Sequence, residues 1–346
     1  MADWLQKQWK GYSIWHLILL PLSLVFFFLS TARKHLFRIG MLSSYKLSVP
    51  VIVVGNISVG GTGKTPLVIW LAEQLKQEGF RPGVISRGYG GKAKDVTEVY
   101  ANSLASEVGD EPLLIAKRVD CPVLVCKNRV HAATALLKAH PEVNVLISDD
   151  GLQYYSLQRD IEIAVVDAER AFGNAWLLPA GPLREAKSRL NQVDAIVMTN
   201  ANQQSLIKAE IKTEFLSPVF GMAFTGEVFV SLMDGESQQK VHFLNHGNLV
   251  AVAGIGNPKR FFDTLARMGL DFEQKSFADH YAFSPQDLLP FAGKTILMTE
   301  KDAVKCAQFA KGDAPYDLWM LPVSANIEHE LIELVLSKLA VVSKGK

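Results

Sequence analysis

Cysteine is scarce: three in 346 residues, with Cys121 and Cys126 in one apolar run, CPVLVC, and Cys306 alone. No disulfide framework can be built from that set, and a single C-x4-C pair without clustered histidines does not make a zinc site. Reduced thiols in a cytosolic setting are expected. An excess of charge is also missing. Lys and Arg number 36 against 35 Asp and Glu, so nothing global draws the chain to nucleic acid, and no such partner is expected. Low-complexity tracts and internal repeats are lacking too. The composition, 49% hydrophobic and 21% charged, is that of a folded protein long enough for two sizeable cores.

What is present is an alternation of apolar strands and amphipathic helices. VPVIVVGN (49–56) reads as a buried strand and KTPLVIWLAEQLKQEG (64–79) as a helix closed by Gly79. RPGVISRG, CPVLVC, VNVLISDDG, DIEIAVVD and DAIVMTN follow as strands, with DEPLLIAKRV and NRVHAATALLKAH as helices between them. Continuous apolar strands separated by helices predict a parallel sheet covered on both faces. Around 218–243 the pattern changes to PVFGMAFTG and EVFVSLM with Asp234-Gly235 as a turn, which predicts a β-hairpin. Alternation then resumes with LVAVAGIGNP, TILMTEKD and YDLWMLPVS as strands, and KRFFDTLARMG and HELIELVLSKLA as helices. The expected architecture is an α/β P-loop core over 41–225, a hairpin linker over 226–245 and a smaller α/β domain over 246–346.

SVGGTGKTP joins the first strand to the first helix. A strand, a glycine-rich turn and Lys-Thr opening a helix make a phosphate loop, in which backbone N–H groups and the helix N-terminus face an anion. Gly60, Gly61, Thr62 and Gly63 form the cradle. Lys64 is placed for the outer phosphates and the Thr65 hydroxyl for Mg²⁺. Ser58 is the irregular position, since the usual pattern has Gly or Ala there. Asp149 and Asp150 end the strand VNVLIS, where a magnesium-organising carboxylate belongs; a solvated turn is the plainer reading of Asp-Asp-Gly. Gly254-Ile255-Gly256 also follows a strand, but Lys259 stands where a dinucleotide fingerprint needs its third glycine, so a tight turn suffices.

One long apolar run precedes all this. Ile14 to Leu29 reads IWHLILLPLSLVFFFL, followed by basic Arg33, Lys34, His35 and Arg38. A span takes about 20 residues to cross about 30 Å of hydrocarbon; this run is slightly short and is interrupted by His16, Pro21 and Ser23. A cleaved signal peptide would look similar, but it would send a nucleotide-binding loop to a compartment without ATP. A buried core helix is the other alternative. The expected reading is a membrane anchor over 1–40, spanning or lying in the interface, with its basic stretch against anionic cytoplasmic headgroups.

Three further segments carry chemistry. GDEP places Asp110 and Glu111 at a helix entry, where Asp110 fits either a base or a simple cap. FADHYAFS holds Asp279 and His280 on a predicted loop. GNAWLLPAGPLRE (173–185) is a long Gly/Pro-rich loop ending in Arg184 and Glu185, of a length that is usually functional.

With VGNISVGGTGKTP, ISRGYGG, VGDEP, SDDGLQ, GNAWLLPAGPLRE, FADH and TEKDAVK in this order, the chain resembles the tetraacyldisaccharide 4′-kinase family, the lipid A 4′-kinases of Gram-negative bacteria. The match runs from about residue 50 to 306. One departure is Tyr154, where the family generally has His after DDGLQ. The resemblance implies an ATP- and Mg²⁺-dependent kinase at the cytoplasmic leaflet of the inner membrane. The implied acceptor is the 4′-hydroxyl of a tetraacylated glucosamine disaccharide 1-phosphate, with no protein partner. It implies that Asp110 pairs with His280 across the cleft to activate the hydroxyl. With the nucleotide on the first unit and His280 on the second, the units are expected to close over the hairpin. Glu111, Arg129 and Arg184 become candidates for contacts to phosphate or substrate. Two other classes stand beside it. A partitioning-type regulatory ATPase would carry a lysine where this loop has Val59, and a glycolipid-binding component without chemistry would need no base.

Overall fold

A computed structural model describes residues 8–9, 11, 13–199, 211–233, 237–240, 248–310 and 315–344. In chain order, helix α1 (Ile14–Arg38) precedes β1 (Val51–Gly55), α2 (Lys64–Gln77), β2 (Pro82–Ser86), the short β3 (Thr97–Glu98), α3 (Asp110–Arg118) and β4 (Val123–Val125). Next come α4 (Arg129–Ala139), β5 (Val145–Asp149), β6 (Ile161–Asp167), β7 (Ala195–Thr199), β8 (Val219–Thr225), β9 (Val228–Ser231), β10 (Gln238–Lys240) and β11 (Leu249–Ala253). The chain finishes with α5 (Pro258–Arg267), β12 (Glu273–Ser276), β13 (Thr295–Thr299), α6 (Glu300–Cys306), β14 (Asp317–Leu321), β15 (Ser324–Ile327) and α7 (Glu330–Lys344).

These elements fall into two compact units. One holds 1–86, 128–223 and 325–346; the other holds 87–127 and 224–324. The expected boundaries followed chain continuity and kept 87–127 with the P-loop core. That segment belongs instead with the second unit, because α3 is tied to α6: Arg118 donates to Glu300 at 2.9 Å and Lys301 to Glu111 at 3.0 Å. The C-terminal helix returns to the first unit, where Lys338 pairs with Asp194 at 2.7 Å.

Within the first unit the strands run in the order β15-β8-β7-β6-β1-β5-β2. Strand β1 lies between β5 and β6 and is parallel to both, with Val54 opposite Asp149 on one side and Ile163 on the other. Every residue of β1 and β5 is buried, as a sheet covered on both faces requires. Helix α2 buries Leu67, Val68, Leu71, Ala72 and Leu75, an i, i+4, i+8 stripe with its neighbours. The register places Asp149 beside the exit of β1, where the phosphate loop starts.

The second unit has its own sheet, β10-β9-β14-β13-β11-β12, with β11, β13 and β14 parallel. One face packs Val250, Phe283, Ile296 and Met298; the other packs Phe229, Ala251, Phe262 and Leu297. The predicted hairpin is redistributed. β8 joins the first unit's sheet beside β7, whereas β9 pairs antiparallel with β10, Gln238 opposite Val230. Asp234 and Gly235 lie outside the described residues. The strand read over TILMTEKD stops at Thr299, whose hydroxyl accepts from Asp302 N at 3.1 Å and caps α6.

Helix α1 explains the polar interruptions in the apolar run. His16 and Ser23 are its two buried residues, while Ile14, Leu17, Phe28 and Leu29 are all more than half exposed. Ser23 Oγ donates to Leu177 O at 2.9 Å and accepts from Ala180 N at 2.9 Å. His16 meets the edge of Trp176, and Arg33 reaches Gln153 O. One side of the helix is therefore seated on the 173–185 loop. By length and composition the helix could cross a membrane, and only 11% of its most apolar window is buried.

Candidate active site

The phosphate loop is shaped by its backbone conformation together with one buried side chain. Gly63 caps α2 in the left-handed region at φ 87°, a conformation that other residues reach only with strain. Buried Asn56, at the end of β1, donates to Thr62 Oγ1 at 3.2 Å and to Gly60 O at 3.4 Å, holding the loop from beneath. Ser58, the irregular position, forms an antiparallel bridge with Leu183, and Val59 N donates to Pro182 O at 2.9 Å. That position therefore works through its main chain, which pairs with the GPLRE segment. Arg184 N closes the same contact on Ile57 O at 2.7 Å.

Thr65 and Lys64 open α2, and Lys64 Nζ stands 3.3 Å from Asp150. Arg184 reaches the same carboxylate at 3.2 Å, while the Arg129 guanidinium donates to the carbonyl oxygens of Asp150 at 2.8 Å and Asp149 at 3.3 Å. Asp149 is buried and accepts from Ser86 Oγ at 3.0 Å. Asp150 takes a left-handed φ of 47°, which turns its carboxylate out of the strand direction. Burial opposes its charge, but Lys64, Arg184 and Arg129 outweigh that and hold the carboxyl at about 2. Two carboxylates and the Thr65 hydroxyl are hard oxygen donors of the kind magnesium takes.

The second unit gathers the other predicted residues. Asp110 is the first residue of α3 and is buried; the cap position belongs to Gly109, at φ 93°. A Cβ at Gly109 would lie 2.6 Å from Tyr89 O, so the entry to α3 admits no side chain there. His280 Nδ1 lies 3.0 and 3.1 Å from the two Asp110 oxygens, and its ring meets Tyr89 edge-on at 5.0 Å. Lys301 Nζ lies 3.0 Å from Glu111 and 3.4 Å from His280 Nε2. Burial works against an ionised Asp110, yet the His280 bond and the Lys301 and Lys305 charges keep its pKa below the ordinary value. The Asp110 bond raises the His280 pKa, against burial and Lys301. Neighbouring Glu111, Asp110 and Asp279 raise the Lys301 pKa despite its burial.

A model of the tetraacyldisaccharide-1-P 4′-kinase family matches residues 15–340. The chain belongs to this family. Among curated relatives, the tetraacyldisaccharide 4′-kinase of Methylobacillus flagellatus is 46% identical, over 98% of this chain and 96% of its own. That of Aeromonas salmonicida is 47% identical, over 97% and 96%. A crystal structure of the "apo" form LpxK from Aquifex aeolicus in complex with ATP matches with a TM-score of 0.74 at 30% identity, covering 94% of this chain and all of that one. The expectations of an α/β P-loop fold and of an ATP-dependent lipid A 4′-kinase hold.

In this 4′-kinase the departure at position 154 acquires a place. Tyr154 donates its hydroxyl to Asn128 Oδ1 at 2.9 Å, and Asn128 caps α4 by accepting from Val130 N and His131 N. The Arg129 guanidinium lies 5.2 Å from the Tyr154 ring. Sequence reasoning overlooked three residues, two beside the phosphate loop and one beside His280. Asn56 was legible as a polar residue closing a buried strand. Lys301 stood inside TEKDAVK with no role attached. Arg170, which pairs with Asp167 at 3.2 Å and donates to Gly61 O, had no local signal, because only the fold brings it to the loop.

Proposed function

We propose that the residues at the phosphate loop bind the ATP phosphates, and that Asp110 with His280 activates the 4′-hydroxyl of a tetraacylated glucosamine disaccharide 1-phosphate. The observation that carries this reading is Lys64 beside Asp150 at a loop of P-loop geometry. Backbone N–H groups of Gly60, Gly61, Thr62 and Gly63 cradle the phosphates, and Lys64 faces the outer ones. Thr65, Asp149 and Asp150 hold Mg²⁺, which when bound neutralises charge on the transferring group. Arg184 and Arg129 lend further positive charge to the same place, and Glu111 acts through Lys301.

The acceptor hydroxyl attacks the γ-phosphorus, its O–P bond forms as the bond to the β–γ bridging oxygen breaks, and ADP departs. The hydroxyl proton passes to Asp110. Because its pKa is low, Asp110 is a weak base, and most of the acceleration comes from alignment and charge neutralisation. The acceptor's acyl chains lie in a membrane, which suits an enzyme with helix α1. Ser23 falls near the middle of that 25-residue helix and bonds the folded unit. A helix docked at its midpoint lies along the interface of the cytoplasmic leaflet of the inner membrane, its exposed side among the acyl chains.

The test supplies purified protein with Mg-ATP and the disaccharide 1-phosphate lipid in detergent micelles, and follows label into the lipid. Vigorous ATP hydrolysis without labelled lipid would sink the assignment. For α1, a cysteine placed at Ser13 and labelled by an impermeant reagent from the periplasmic side would overturn the interfacial reading.

A further inference from the structure

His280 is held from both ends. Its Nδ1 faces Asp110 at 3.0 Å, and its Nε2 faces Lys301 Nζ at 3.4 Å. Lys301 is not a mobile surface lysine: Glu111 lies 3.0 Å, Asp279 3.8 Å and Asp110 3.9 Å from its ammonium. An ammonium has donors only, so it is attracted to Nε2 when that nitrogen carries a lone pair and repelled when it carries a proton. With the lone pair on Nε2, the ring proton sits on Nδ1 and is donated to Asp110.

From this arrangement we propose that Lys301 is a positioning residue that fixes His280 as the neutral imidazole protonated on Nδ1, leaving Asp110 as the proton acceptor. The inference rests on the reading of Asp110 and His280 as the hydroxyl-activating pair. It adds the group that decides which member of the pair takes the proton. The charged neighbours of the ring pull both ways, and the Asp110 bond leaves its pKa above the ordinary value, so the neutral ring is the form above that raised pKa. Asp110 and Asp279 favour the imidazolium; Lys301 opposes it directly, and Lys305, 4.0 Å from Asp110, weakens the carboxylate's pull. Tyr89 contributes only its ring edge.

The direct test is ¹⁵N NMR of histidine-labelled protein at pH 8, with His280 assigned by its loss in His280→Gln. An Nδ1-protonated neutral ring is the expected result; an Nε2-protonated ring would overturn the proposal. The kinetic test is the pH profile of kcat/KM for lipid phosphorylation. Lys301→Met should move the acid limb up by about one pH unit, a tenfold change in the protonation equilibrium. Near pH 9 the variant should come back to within a few-fold of wild type, and Lys301→Arg should keep the wild-type limb. A loss in Lys301→Met that is equal at every pH would make the residue merely structural. Asp110→Ala and His280→Ala in the same assay separate the two ideas: if both still transfer phosphate, the activating-pair reading fails, whereas the NMR result stands on its own.

Discussion

Lys64 Nζ and an Asp150 oxygen stand 3.3 Å apart, so the cation proposed for the outer phosphates and a carboxylate proposed for magnesium restrain each other. Removing the cation should disable transfer without unfolding the protein. Lys64→Ala is expected to lower lipid phosphorylation by about 10²-fold or more, the usual loss when one transition-state charge contact goes. Initial rates at saturating ATP check this, with circular dichroism as the folding control.

Asp150 also gives the protein an acid-sensitive element. Its carboxyl sits at about 2 in the folded chain against an ordinary 3.8, because three cations outweigh burial. A depressed carboxyl stabilises the fold fully above the unfolded value, and that contribution is lost as pH falls through the folded one. Urea midpoints should therefore decline between about pH 4 and pH 2, and Asp150→Asn should flatten that decline. An identical slope in the variant would mean that other carboxylates carry it.

Ser23 joins α1 to the 173–185 loop. Ser23→Ala leaves the buried Ala180 N–H without its acceptor. A cost of about 1–3 kcal/mol follows, a drop of a few degrees in a thermal melt in detergent. Replacing exposed Leu17 by Ala should leave the melt within about 0.5 kcal/mol of wild type and instead weaken sedimentation with liposomes.

Tyr154 supports Arg129 in two ways that substitution can separate. Tyr154→Phe removes the hydroxyl donated to Asn128 but keeps the ring beside the guanidinium, and should cost about 0.5–1.5 kcal/mol. Tyr154→Ala removes both and should also raise the KM for ATP. Thermal melts and ATP titrations of the pair make the comparison.

The alternation of apolar strands was readable because β1, β5 and β7 are buried along their whole length. β12 was not readable: Glu273–Ser276 is exposed and polar, an edge strand paired in register with β11. The unit boundaries were hidden for a related reason. Residues 87–127 look like one more repeat of the core, and only the side-chain ties from α3 to α6 assign them elsewhere. The phosphate loop, Asp149 and Asp150 were legible from spacing, since each depends on the local end of a strand. Asp110 with His280 was legible only through resemblance, because 170 residues separate them and the fold alone closes that distance. Arg170 escaped both routes.

The 173–185 loop touches α1 with Trp176, Leu177 and Ala180 and the phosphate loop with Pro182, Leu183 and Arg184. Fewer than a dozen residues therefore act as a ruler rather than a tether. With α1 in the proposed interfacial position, its depth in the bilayer would fix how high the phosphate loop rides above the headgroups. An acceptor whose phosphorylated sugar stands at that height is met without searching, while a soluble sugar of the same chemistry would have no surface to bring it there.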